Sequence, residues 1–266
     1  MTSEQTGMTA NGVPYLVIPA ASPGAPVVVI WHLLDPPRTP AAMASAIPLA
    51  GLDATRMYLG LPMSGARTPE GGFGAIMALL AQDAPLLVHG PIWQQAVDEF
   101  PEAFAELRER FAIATDAVVG LVGGSMGSAV AAGVLAAGTA GARAAVLLSP
   151  MMRLRSMIDA VSPRFGGYTW SPASEAVADR MDFLARAAEV TAAGAAIRMI
   201  AGSDDEEAAF LVPARKFAAT TGADLHELAG VGHALAEEPG VDPAPQTDGA
   251  RRADALTVEW LRANLT

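Results

Sequence analysis

The sequence predicts an α/β protein with a mostly parallel, doubly wound sheet, and three observations predict it. Short apolar runs closed by Gly, Pro or Ser recur at residues 27–30, 57–61, 117–122, 144–149, 197–201 and 224–228. Runs of that length read as strands, and the β-branched run 27–30 as one buried on both faces. Helical patterns lie between them, so successive strands are joined by right-handed crossovers and ligands belong outside the strands' carboxyl ends. The chain has 266 residues, 52% hydrophobic and 17% charged, which is enough apolar material to cover both faces of one sheet within a single domain, 1–266.

Taken in order, residues 15–18 read as an antiparallel strand beside the sheet and 27–30 as a buried strand between Pro26 and Trp31. A helix over 39–49 opens with Thr39 as N-cap and Pro40 at its first position. After the strand 57–61 comes a long connection, 65–116, that carries Trp93, Phe100 and a helical pattern over 102–111 with apolar residues three and four apart. The strand 117–122 leads into an alanine-rich helix over 126–137, followed by the strand 144–149 and a helix over 175–190. The strands 197–201 and 224–228 follow, with a helix between them, then a Pro-, Gly- and acid-rich surface loop over 237–249 and a last helix over 254–265.

Composition narrows the partners. With 28 acidic against 17 basic residues the net charge is −11, a field that repels nucleic-acid phosphates and anionic lipid surfaces. No cysteine is present, which removes disulfides, a thiol nucleophile and cysteine-ligated metals, and no other metal constellation or phosphate-cradling loop stands out. No cofactor is expected. The start, 1–11, is polar and lacks the order of a signal peptide, so a cytoplasmic location is expected. Residues 117–142 carry no charge over a membrane-spanning length, but Gly123, Gly124, Ser125 and Gly127 interrupt any single helix, and a strand, turn and helix fit better than a span.

That turn, Gly123-Gly124-Ser125-Met126-Gly127, has the pattern G-x-S-x-G between a β-rich run and a helical one. A serine on so tight a strand-to-helix turn is a nucleophile, and its flanking residues must be small enough for the two backbones to pass. At sites of this kind an acid and then a histidine follow in the chain. Two histidines follow Ser125: His226 lies inside the strand 224–228, and His233 lies just beyond it in Gly230-Val231-Gly232-His233, where a loop can bring an imidazole over the serine. His233 is the expected base and His226 a structural histidine. The acid belongs after the strand 197–201, where Gly202-Ser203-Asp204-Asp205 offers two neighbours; Asp205 is preferred and Asp204 stays open.

With these motifs in place the chain resembles the α/β-hydrolase superfamily from Val27 nearly to its end, in the manner of a serine esterase or thioesterase. The resemblance implies an eight-stranded, mostly parallel sheet, a mobile cap, and an oxyanion hole built from the backbone after the nucleophile and after the third strand. Here Met126 and either Leu33 or Leu34 would supply the N–H groups, in Trp31-His32-Leu33-Leu34-Asp35, which lacks the family's glycine after the histidine. The segment 150–193 looks like a small helical cap inserted in the domain, and His32, Met151, Met152 and Trp170 are the expected pocket residues. The implied activity is hydrolysis of an ester or thioester of a small to medium apolar acyl substrate through an acyl-enzyme. Acyl transfer or lyase chemistry on the same scaffold, and a non-catalytic ligand-binding relative, are the alternatives.

Overall fold

The computed structural model describes residues 4–265, so the first three residues of the polar start lie outside the described residues. Eight strands form one sheet: β1 Gln5–Met8, β2 Pro14–Ile18, β3 Val27–Trp31, β4 Thr55–Leu59, β5 Val119–Gly124, β6 Ala142–Leu148, β7 Ala196–Gly202 and β8 Asp224–Leu228. Their order across the sheet is β1-β2-β4-β3-β5-β6-β7-β8. β1 and β2 pair antiparallel and β2 joins β4 antiparallel, while every pairing from β4 through β8 is parallel.

The alternation of side chains along each strand divides the apolar core between the two faces. In β3, Val27, Val29 and Trp31 join the larger cluster, with Trp93, Phe100, Met126 and Phe217. Val28 and Ile30 join the other, with Met43, Ala253 and Leu261. All five residues of β3 are buried, which is why the strand reads as continuously apolar. All four residues of β1 are exposed and the strand has no hydrophobic signature, so nothing in the sequence marks it.

The first helix, α1 Pro40–Ala46, begins as expected: Thr39 Oγ1 accepts a hydrogen bond from the Ala42 N–H at 3.1 Å. The long connection is a helical arm, with α2 Gly72–Ala84 and α3 Gly90–Arg110 joined by a wide turn over Pro85–His89. Within this arm, Gly72–Arg110, an apolar window of mean hydropathy 1.3 is long enough to cross a membrane by length and composition, but the backbone leaves helical geometry at Asp83. The Asp83 carboxylate accepts from the Leu86 N–H and the Tyr168 hydroxyl, which ties this break to the segment after β6. α4 Met126–Ala137 is almost wholly buried, as its alanine-rich sequence requires.

Between β6 and β7 lie α5 Leu154–Val161, α6 Pro172–Arg180 and α7 Ala187–Thr191. The helix expected over 175–190 is thus two helices, broken where Asp182 turns back to accept the Leu184 and Ala185 N–H groups. α8 Val212–Thr221 joins β7 to β8. The last helix, α9 Asp248–Asn264, starts before the expected 254 because Thr247 caps it by accepting the Ala250 N–H.

Candidate active site

Parallel register brings the carboxyl ends of the central strands level. Trp31 is opposite Gly123, Gly124 opposite Leu148, Leu148 opposite Ile200, and Gly202 opposite Leu228. The residues that leave these ends therefore meet at one edge of the sheet. They include Ser125 after β5, Asp205 after β7 and His233 after β8.

Ser125 has φ 47° and ψ −112°, a conformation that non-glycine residues seldom adopt, held between the last residue of β5 and the first of α4. The neighbouring glycines make it possible. A Cβ on Gly127 would lie 2.5 Å from the His32 carbonyl oxygen and 2.6 Å from that of Trp31, and one on Gly123 would overlap the Gly127 carbonyl. The Ser125 N–H donates to the Leu148 carbonyl at 2.9 Å, which fixes the turn to the next strand.

A continuous hydrogen-bonded path starts at this serine. Ser125 Oγ is 2.8 Å from His233 Nε2, and His233 Nδ1 is 2.7 Å from Asp205 Oδ2. The Asp205 side chain is 1% exposed, and its other oxygen accepts the Glu206 N–H at 2.7 Å. A carboxylate only accepts, so Nδ1 carries the proton and the Nε2 lone pair faces the serine hydroxyl. Asp204 is exposed and bonded to the Ser203 hydroxyl instead. His226 stays on β8, half exposed, with Nε2 3.2 Å from the Asp224 carboxylate.

Two residues to which the sequence assigns no role at the site hold His233. Ser149 Oγ donates to the His233 carbonyl at 2.7 Å, and the Phe210 ring lies 4.1 Å from the imidazole, centroid to centroid. Ser149 ends the strand run and has φ 42°, but a serine at a strand end carries no sequence signal of its own.

The oxyanion side corrects one expectation. The Leu33 N–H is already spent, donating to the Pro37 carbonyl at 3.2 Å across a tight loop. The Leu34 N–H has no acceptor among the described residues, and the Met126 N–H, at the first position of α4, has none by its place in the helix. The missing glycine after His32 is compensated from the other side. The Leu33 side chain is fully buried against Gly124, where any Cβ would collide with it.

His32 is not a pocket residue. It is 1% exposed, its Nδ1 bonds the Leu33 carbonyl at 2.6 Å, and its Nε2 accepts the Leu61 N–H at 3.0 Å, so it staples the loop to β4's end. Burial pushes its pKa down from 6.5 to about 4. A histidine whose folded pKa is depressed is stabilising above its unfolded value, and that contribution is lost as pH falls from about 6.5 toward about 4. The loss expected by pH 4 is about 3 kcal/mol. Urea unfolding of wild type and His32→Gln across this window checks it: the variant's stability should fall less steeply, by about one proton. Identical slopes would contradict the role.

Met151 and Met152, 3% and 0% exposed, belong to the core rather than to a pocket, and Trp170 is turned to Asp159, its Nε1 donating at 2.8 Å. The cavity beside His233, about 560 Å³, is lined instead by Asp35, Met157, Val161, Arg164, Glu206 and Phe210 among others. Among the described residues no group of His, Asp and Glu side chains is arranged to hold a metal ion.

No protein-family model matches the sequence, and no curated protein matches it. Solved structures do. TT1662 from Thermus thermophilus superposes with a TM-score of 0.64 at 18% identity, over 98% of this chain and 100% of that one. A highly thermostable carboxyl esterase from Bacillus coagulans gives 0.63 at 12% identity, over 100% of both chains. A puromycin-hydrolyzing peptidase from Mycobacterium tuberculosis gives 0.65 at 15% identity; there this chain covers 40% of the other's length. At these identities the likeness speaks for the fold, and the chain has the α/β-hydrolase fold.

Proposed function

We propose that this chain, built on the α/β-hydrolase fold, is a serine hydrolase that cleaves an ester or thioester of a small to medium apolar acyl group through an acyl-enzyme. The observation that carries this reading is the unbroken path from Ser125 Oγ through His233 to a buried Asp205, starting at a strained elbow. His233 Nε2 takes the hydroxyl proton as Ser125 Oγ attacks the acyl carbon. The tetrahedral oxygen is received by the Met126 and Leu34 N–H groups. The imidazolium then gives its proton to the departing oxygen or sulfur, and water repeats the sequence to release the acid. Asp205 keeps Nδ1 protonated and stabilises the transient imidazolium.

Met157, Val161 and Phe210 give the cavity an apolar wall suited to an acyl chain. Two of them stand on α5, so residues 150–193 act in this reading as a cap that shapes substrate choice. Structural neighbours carry both esterase and peptidase names, which makes the bond class the open choice. Turnover of a p-nitrophenyl ester and of the p-nitroanilide with the same acyl group decides it. The ester is expected to react faster, with a burst of nitrophenol equal to the enzyme present. Faster anilide cleavage would move the assignment to amides, and no turnover of either would overturn it.

A further inference from the structure

We propose that Asp35 selects substrates whose leaving group carries a positive charge, an ammonium or guanidinium a few bonds from the scissile ester or thioester. This rests on the serine-hydrolase reading above and deepens it. Asp35 directly follows Leu34, and its Oδ2 lies 3.7 Å from His233 Nε2, the nitrogen that is 2.8 Å from Ser125 Oγ. Nε2 is the atom that protonates the leaving group, so the leaving group occupies the space next to it. Asp35 borders that space and is half exposed, open to a group arriving from solvent.

The charge of Asp35 is left without an arginine or lysine partner while those of three neighbouring carboxylates are matched. Asp205 pairs with His233, Glu206 with Arg164 and Glu207 with Arg215, whereas Asp204, also on the cavity, accepts only from the neutral Ser203 hydroxyl. The other nearby guanidinium, Arg38, is engaged by Glu238 at 2.6 Å and by the Leu34 and Pro239 carbonyls. His89 feels the Asp35 charge, but burial holds its imidazolium below the usual histidine range and its Nδ1 is bonded to the Ala84 carbonyl, so it supplies no cation. Among the described residues the His233 ring is thus the one side chain in ion-pair contact with Asp35, and it is committed to Ser125 and Asp205.

The loop that presents Asp35 is braced rather than loose. Leu33 N–H donates to Pro37, Leu235 N–H to Pro36, and Arg38 N–H to Gly240 at 2.7 Å. A carboxylate 3.7 Å from Nε2 attracts the transient imidazolium that forms with any substrate. A cationic leaving group gains a further, direct attraction to it that a neutral one lacks, in a partly enclosed site where charges interact more strongly than in water.

The test compares S-butyrylthiocholine with the neutral thioester in which carbon replaces its ammonium nitrogen. Both release a thiol that is followed by the same colorimetric reagent. In wild type, kcat/KM should favour the cation by about tenfold or more, a preference that shrinks as salt is added. In Asp35→Asn the ratio should fall toward one as the cationic substrate slows more than the neutral one. Asp35→Glu should keep part of the preference. A wild-type ratio near one would overturn the proposal, as would a ratio unchanged in Asp35→Asn, or an equal loss for both substrates, which would make Asp35 a positioning residue for His233. Failure of both thioesters together with failure of a neutral fluorophosphonate to label Ser125 would remove the hydrolase reading and this one with it. Labelling with no charge preference would remove this one alone.

Discussion

Replacing Ser125 by alanine is expected to lower ester turnover by about 10⁶-fold, leaving the residual catalysis that binding and oxyanion contacts supply. The methyl group cannot attack, and Ser125 is 5% exposed, with no other hydroxyl bonded to His233 Nε2 among the described residues. His233→Ala should lose nearly as much, and the double variant little more, because nucleophile and base act as a unit. His226→Ala is the control of the same residue type. Its ring bonds Asp224 on the outer strand, far in the sheet order from β5, so it should affect stability more than rate. Steady-state rates on one ester, with folding checked by circular dichroism, separate these outcomes. Equal rate losses at His226 and His233 would undo the assignment of the base.

The acid is expected to show the second largest effect. Asp205→Asn should slow the chemical step by about 10⁴-fold, because an amide at that position favours the wrong imidazole tautomer without changing the shape of the site. The 2.7 Å contact to Nδ1 and the 1% exposure of the carboxylate make the exchange geometrically quiet and electrostatically severe. Asp204→Asn should change the rate little, since its carboxylate faces Ser203 at the surface. Single-turnover kinetics on both variants measures the difference. The reverse ranking would transfer the role to Asp204.

Most of the fold was legible because its central strands, such as β3 and β5, are buried on both faces. They stand out as short apolar runs, and Val27–Trp31 lies within a residue of the expected bounds, whereas β8, Asp224–Leu228, is half polar and only partly buried although its bounds match the expected run. The elbow was legible for a different reason: its geometry depends on backbone approach, and only glycine at positions 123 and 127 permits it. Chain order after the serine was enough to single out His233 and Asp205 as the residues that the structure brings to Ser125.

What escaped the sequence depends on convergence in space. The exposed edge strand Gln5–Met8 has no hydrophobic period, and the break at Asp83 is made by a tertiary bond from Tyr168. Met151 and Met152 have the chemistry of pocket residues and the burial of core residues, and composition does not separate the two. Met157, Val161, Phe210 and Asp35 reach the cavity from three separate parts of the chain. The Leu33 N–H looked free because nothing in Leu33-Leu34-Asp35-Pro36-Pro37 announces that the loop closes on itself.

In the proposed mechanism Ser125 is a nucleophile made reactive by His233. A neutral fluorophosphonate probe, applied to the folded wild-type chain and followed by peptide mass spectrometry, tests it most directly. One adduct per chain is expected, on Ser125, abolished in Ser125→Ala and strongly slowed in His233→Ala. An unmodified Ser125, or an adduct that forms equally well without His233, would contradict it.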